Sequence, residues 1–199
     1  MSTPFPIPSR YRGTLGVKED DHNRQALVAA RQVMEKFLPR SERFDEKTSL
    51  VYVRGESWPE RGVLLLGPTG TGKSTVLGAM ATYFEDQGIR TAWVSWGEMC
   101  SVAVDYTRRD HLDLLRNVPA MIVDDFAQVE PSVPVKGAVA DLLECRYRNL
   151  LPLLAATNTL AEPDLARVLG VAVVSRLEQM CERVPVRGPD RRKGGGKHG

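Results

Sequence analysis

Gly67-Pro68-Thr69-Gly70-Thr71-Gly72-Lys73-Ser74-Thr75 is the stretch on which the fold of this chain turns. The short apolar run Arg61-Gly62-Val63-Leu64-Leu65-Leu66 leads into it, and helix-forming sequence from Val76 to Glu85 follows. Strand, glycine-rich loop and helix in this order predict a cradle for phosphate. Glycines let the backbone wrap closely, so that several N–H groups point inward at one anion. A helix starting near Lys73 adds its positive end. In that setting Lys73 is expected to reach the β- and γ-phosphates of a nucleoside triphosphate, and Ser74 to place its hydroxyl on Mg²⁺. A surface turn matching by accident would lack the flanking strand and helix.

The rest of the composition sets bounds. A chain of 199 residues, 42% hydrophobic and 26% charged, fits one globular domain with a real core. No apolar run approaches the roughly 20 residues of a membrane span, and no secretory pattern opens the chain, so a cytoplasmic location without membrane contact is expected. Cys100, Cys145 and Cys181 are far apart, form no C-x-x-C pair and are odd in number. Buried or inert thiols are expected rather than zinc or disulfides. His22, His111 and His198 are equally scattered. The formal charge of +2 permits nucleic-acid binding without arguing for it.

Outward from the loop, strands and helices alternate. Ile89 to Ser95, Ala120 to Asp124 and Leu151 to Thr157 are strand candidates, with a short fifth at Val184 to Val186. Val135 to Leu150 carries an apolar stripe through Val139, Leu142 and Leu143, which predicts a helix. The pattern predicts an α/β fold, a parallel sheet of about five strands with helices on both faces. Before the loop, Pro4, Pro6 and Pro8 make Met1 to Arg12 an extended arm. Asp20 to Leu38 reads as a lead-in helix capped by Asp20 or Asp21 and stopped by Pro39. A polar stretch, Ser41 to Pro59, holds the apolar piece Leu50-Val51-Tyr52-Val53. The chain thus divides into an arm and lead-in helix (1–59), a nucleotide-binding core (60–187) and a basic, glycine-rich tail (188–199) expected to be disordered.

Ala120-Met121-Ile122-Val123-Asp124-Asp125 is an apolar strand ending in two acids. Ligands of parallel sheets sit at the strands' carboxyl ends, where these acids emerge. Asp124 is expected on the Mg²⁺ side and Asp125 beside the attacking water. A second acid suits hydrolysis, whereas a small-molecule kinase more often needs a basic lid over its acceptor. Leu151 to Thr157 ends in Asn158, placed either to orient that water or touch the γ-phosphate, or to cap a turn before Pro163.

These elements, in this order, make the chain similar to the AAA+ ATPases of the DnaC/IstB group, helicase loaders and transposition helpers. The likeness runs from about Ile7 to Arg192. It includes Ile7-Pro8-Ser9-Arg10-Tyr11-Arg12, the acidic pair, Cys145-Arg146-Tyr147 with Leu151-Pro152, Val174-Ser175-Arg176-Leu177-Glu178, and Gly188-Pro189-Asp190-Arg191-Arg192. The resemblance implies a P-loop NTPase of the additional-strand AAA+ type that uses ATP and Mg²⁺. It implies that Arg176, on a helix Ser175 to Glu182 capped by Ser175, completes the ATP site of a neighbouring subunit. It also implies Arg191 or Arg192 as a nucleotide sensor, and Arg146 either at a subunit boundary or on the polar side of its helix. Single-stranded DNA contact is implied for the interval Trp96 to Asn117 through Tyr106, Arg108 and Arg109, with Lys136 as a further candidate. The partners implied are a replicative helicase, single-stranded DNA and further copies of the chain. Helicase loaders usually carry a separate N-terminal module, whereas only about sixty residues precede the phosphate loop here, so helicase binding is expected to use the Met1–Arg12 arm or a surface of the core, or not to occur. The expected function is an ATPase, weak until assembled, that helps load a helicase. An IstB-like transposition helper, a small-molecule P-loop kinase and a nucleotide-regulated binding module are the alternatives.

Overall fold

The computed structural model describes residues 4–12, 19–36, 42–45, 50–53, 61–158 and 162–191. A small antiparallel pair, β1 (Glu42–Asp45) and β2 (Leu50–Val53), stands before the core. The main sheet is built from β3 (Gly62–Leu66), β4 (Thr91–Ser95), β5 (Ala120–Asp124), β6 (Leu153–Thr157) and β7 (Cys181–Pro185). All its neighbours are parallel, in the order β4-β5-β6-β3-β7. The strand β6 therefore lies between the loop strand β3 and the acid strand β5. That insertion is the additional strand expected above.

Among the described residues the helices are α1 (Arg24–Lys36), ahead of the strands, and α2 (Lys73–Asp86), α3 (Trp96–Val104), α4 (Arg109–Asn117), α5 (Val133–Arg148), α6 (Glu162–Leu169) and α7 (Val171–Met180) between the strands of the main sheet. They cover both faces, so the strands read as unbroken apolar runs rather than alternating ones. Successive side chains still go to opposite sides. Val63, Leu65, Ile122, Leu154 and Ala156 pack beneath α1 and α2. Leu64, Val94, Met121, Val123, Leu153 and Ala155 pack beneath α3 to α7. A parallel sheet with helices on both sides places the tips of β3, β5 and β6 together at one edge, and the site stands there.

Several local expectations are corrected. The helix carrying Arg176 begins at Val171 with Gly170 as its N-cap, so Ser175 lies inside it and caps nothing. It ends at Met180, and Glu182 belongs to β7, which starts three residues before the expected strand. Gly170 breaks the apolar run ahead of the helix, and that start signal outranks a serine within it. The arm is not extended throughout, because Ser9–Tyr11 form a 3-10 turn after Pro8. The lead-in helix begins at Arg24 rather than Asp20; the Asp20 carboxylate accepts from the N–H groups of His22 and Asn23 at 2.9 and 3.0 Å and so shapes the turn that enters it. The expected stop at Phe37 to Pro39 lies outside the described residues, as does the tail from Arg192. Of that tail, Gly188 to Arg191 are placed, with the Arg191 N–H donating to Gly70 O at 3.0 Å.

Candidate functional site

Gly67 sits at the tip of β3, where its N–H donates to Thr157 O on one side and Val186 approaches on the other. A Cβ here would stand 2.1 Å from Val186 O, so only glycine fits between the flanking strands. Gly72 has φ +94 and is the N-cap of α2, turning the chain from loop into helix. The Thr71 hydroxyl, buried, donates to Pro68 O at 2.9 Å and closes the loop on itself. Lys73 is only 7% exposed, and its ammonium donates to Gly67 O, Pro68 O and Asn158 Oδ1 at 2.7, 2.8 and 2.8 Å. Asn158 is thereby tied to the loop, and the turn toward Pro163 that it could also cap runs through residues 159–161, outside the described residues. With Oδ1 taken by Lys73, its two N–H donors are what it offers a phosphate or a water.

The acidic pair splits into a buried and an exposed member. Asp124 ends β5 at 7% exposure and accepts from Ser74 Oγ at 2.9 Å and from the Asp125 N–H at 3.1 Å. Burial pushes its pKa up, and the Asp125 charge adds to this. The Ser74 hydrogen bond and the Arg10 charge pull the other way. Asp125 is exposed and has φ +53, a left-handed conformation that aspartate tolerates better than most residues. The next N–H, on Phe126, donates to Ala156 O at 2.7 Å and fixes the turn to β6.

Thr69, Gly70, Gly72, Lys73, Ser74, Thr75, Asp125 and Asn158 line a cavity of about 380 Å³. Arg10, Tyr11 and Arg191 complete its wall. Arg191 Nη2 donates to Asp20 Oδ2 at 2.5 Å across the loop. Sequence reasoning placed Arg10 and Tyr11 only in a lead-in motif. The proline spacing describes an arm but carries no information about which helix it crosses.

Other expected residues lie elsewhere. Arg176 does not line this cavity. Its Nε donates to Glu144 Oε2 at 3.1 Å and its guanidinium lies 4.9 Å over the Tyr147 ring. Hydrogen bonds from Arg148 and Arg176 hold the Glu144 carboxyl below its usual range. Arg146 is at neither a boundary nor a polar surface. It is 0% exposed and donates to the carbonyls of Leu115, Val118, Pro119 and Pro152. Tyr106 is 82% exposed with Arg109 6.0 Å over its ring, whereas Arg108 is engaged by His111 and Glu98. Lys136 is tied to Glu130 and Arg167 O. Burial pushes the Cys100 and Cys181 thiols up to about 11 and about 12, which makes both poor nucleophiles.

The donor set fits a nucleotide with magnesium. Loop N–H groups, the α2 N-terminus and Lys73 suit a polyphosphate. The Ser74 hydroxyl and the Asp124 carboxylate are hard oxygen donors, few in number, as Mg²⁺ requires when phosphates supply further ligands. Among the described residues no group of three or more His, Cys, Asp or Glu is placed to hold a metal alone, and no helix is long and apolar enough to cross a membrane.

An additional strand between the loop strand and the acid strand, with the acids, Asn158 and the loop at one edge, decides the architecture. The fold is that of the AAA+ P-loop NTPases. Solved structures share it at low identity. The AAA+ fold here superposes on DnaI with a TM-score of 0.71 at 18% identity, covering 93% of this chain and 94% of that one. It matches a DnaC helicase loader with a TM-score of 0.70 at 21% identity, over 90% of this chain and 100% of the other. DnaA from Aquifex aeolicus bound to AMPPCP gives 0.70 at 15% identity, over 94% of this chain and 53% of DnaA. DnaA bound to AMPPCP and single-stranded DNA matches equally, at 0.70 and 15%, over 93% and 52%. The chain thus spans about half the length of the DnaA structures it matches. A family model described as RNA helicase matches residues 63–157, just under half the chain, from β3 to the end of β6. No curated protein matches the sequence.

Proposed function

We propose that this AAA+ chain is an ATPase of DNA replication that acts as a DnaC-like helicase loader, assembled through its ATP sites on single-stranded DNA. One observation carries the reading: Lys73, Ser74 with Asp124, Asp125 and Asn158 converge at one cavity, and Arg176 is absent from it. The site has two acids and a phosphate cradle but lacks the finger arginine that the resemblance assigns to a neighbour's site. DnaI, the DnaC loader and DnaA bound to single-stranded DNA support the replication setting.

Lys73 would exchange its carbonyl partners for β- and γ-phosphate oxygens, while Asn158 keeps it aimed. Ser74 and Asp124 would hold Mg²⁺, which when bound supplies positive charge to the phosphate oxygens. Asp125, exposed on its fixed turn, would accept the proton of the attacking water. Arg176 would meet the growing charge on the transferred phosphoryl from the next subunit. It sits on a helix, held by Glu144 and Tyr147, and is partly exposed. Tyr106 and Arg109 would take the single strand, by stacking and by charge.

The deciding experiment measures phosphate release at rising protein concentration, with and without single-stranded DNA. Assembly and DNA should activate turnover, and Arg176→Ala should retain ATP binding and lose about 10³-fold or more of the activated rate. Full-rate hydrolysis by a dilute monomer, matched by the variant, would overturn the trans-acting assignment. Phosphate appearing on an acceptor instead of free in solution would assign a kinase.

A further inference from the structure

Arg10 and Tyr11 line the cavity from the N-terminal arm, apart from the loop, the acids, Asn158 and Arg191. The arm that carries them is anchored along its length. Phe5 and Ile7 are buried at 1% and 3% exposure, and the Trp93 N–H of β4 donates to Phe5 O at 3.0 Å. The Tyr11 N–H donates to Pro8 O at 2.9 Å, closing the turn with Arg10 at its middle. The Tyr11 ring stacks on Trp93, centroids 5.1 Å apart, and the Arg10 guanidinium lies 4.7 Å over Tyr11. An arginine seated on an aromatic face keeps its in-plane N–H groups for an acceptor and loses little freedom on using them. Among the described residues Arg10 makes no ion pair.

We propose that Arg10 is a specificity-determining residue of this site, whose guanidinium receives the terminal phosphate of a nucleoside triphosphate and so distinguishes triphosphate from diphosphate. The inference rests on the nucleotide reading above. Position supports it. Arg191 lies against Gly72 and donates its N–H to Gly70 O, and Arg10 shares the cavity wall with Lys73, Ser74, Asp125 and Asn158. Ser74, Asp124 and Lys73 mark the β,γ end of a bound triphosphate, so Arg10 stands at the end that a diphosphate leaves empty. The cation belongs to the same chain and is distinct from Arg176.

The test is affinity of the full chain for fluorescent ATP and ADP analogues in Mg²⁺, with thermal melts alongside. Arg10→Ala should lose about ten- to a hundred-fold in triphosphate affinity, the size of a lost hydrogen bond to a charged group, and leave diphosphate affinity unchanged. Arg10→Lys should fall between, and covers the case in which the alanine variant melts early. Equal loss for both nucleotides would mean that the arm only shapes the cavity. Tighter binding of both would mean that Arg10 competes with Mg²⁺ for the acidic pair and does not receive phosphate. Either result, or no change, overturns the proposal. Lys73→Ala is the control: wild-type protein that binds neither nucleotide, like this variant, sinks the nucleotide reading itself.

Discussion

Strands β5 and β6 carry charge at both ends, and the two ends handle it in opposite ways. At their start Arg146 is enclosed, its guanidinium within 2.7 to 3.4 Å of four carbonyl oxygens. Two of these, on Pro119 and Pro152, immediately precede the strands, and a third, on Leu115, belongs to the negative end of α4. Burial pulls the guanidinium down to about 9, still above neutral pH, so it stays charged. At the other end Asp124, Asp125 and Asn158 face or border an open cavity. The foot holds one cation with fixed dipoles, and the tip holds anions whose balance a ligand would change. Rigidity at the foot lets the tips keep their spacing.

The largest expected effect breaks the foot. Arg146→Met should cost about 3–5 kcal/mol, because four buried carbonyls lose their donor at once. For a chain of this size the melting temperature should fall by about 10 °C. Nucleotide affinity of the molecules that remain folded should be unchanged. A variant that melts normally but binds nucleotide poorly would mean that Arg146 serves the site and not the scaffold.

Asp125→Asn makes the reverse break. Turnover should drop by about a hundredfold or more while nucleotide affinity and melting temperature hold. Asparagine is the informative change because it also tolerates the φ of +53 found there, which alanine would strain. Undiminished phosphate release would remove Asp125 from the reaction.

This contrast also explains what was legible in the sequence. The tip elements are local patterns. A glycine loop between strand and helix, an apolar run ending in Asp-Asp and another ending in Thr157-Asn158 each declare themselves within ten residues. Their meeting follows from the rule that parallel strands expose one common edge. The foot has no such pattern. Arg146 sits in α5 among polar neighbours, and its partners come from the α4–β5 connection and from Pro152. Nothing in its spacing distinguishes a buried arginine from a solvated one. Arg10 escaped for the same reason, since its place depends on Tyr11 stacking on Trp93, more than eighty positions away. The start of α7 was misplaced differently, through a serine that resembles a cap and a glycine that is one.

The smallest expected effect tests whether tip and foot are separate. Asp124 has a folded-state pKa above its ordinary value, chiefly from burial, so the native protein holds that proton more tightly than the unfolded chain does. Stability should therefore fall as pH rises from the ordinary carboxylate range through the folded-state value, leaving the native state at neutral pH with the whole cost. Asp124→Asn removes the ionisation yet keeps an oxygen for Ser74 Oγ and the Asp125 N–H. Its melting temperature at pH 7 should be slightly higher than that of the parent, and the gap should narrow as pH is lowered toward about 4. The same variant should lose magnesium-dependent tightening of nucleotide binding, because a neutral amide is a poor ligand for a hard cation. A lower melting temperature at neutral pH would mean that the hydrogen bonds to the charged carboxylate outweigh its burial, and that the tip, like the foot, is held together by its charge.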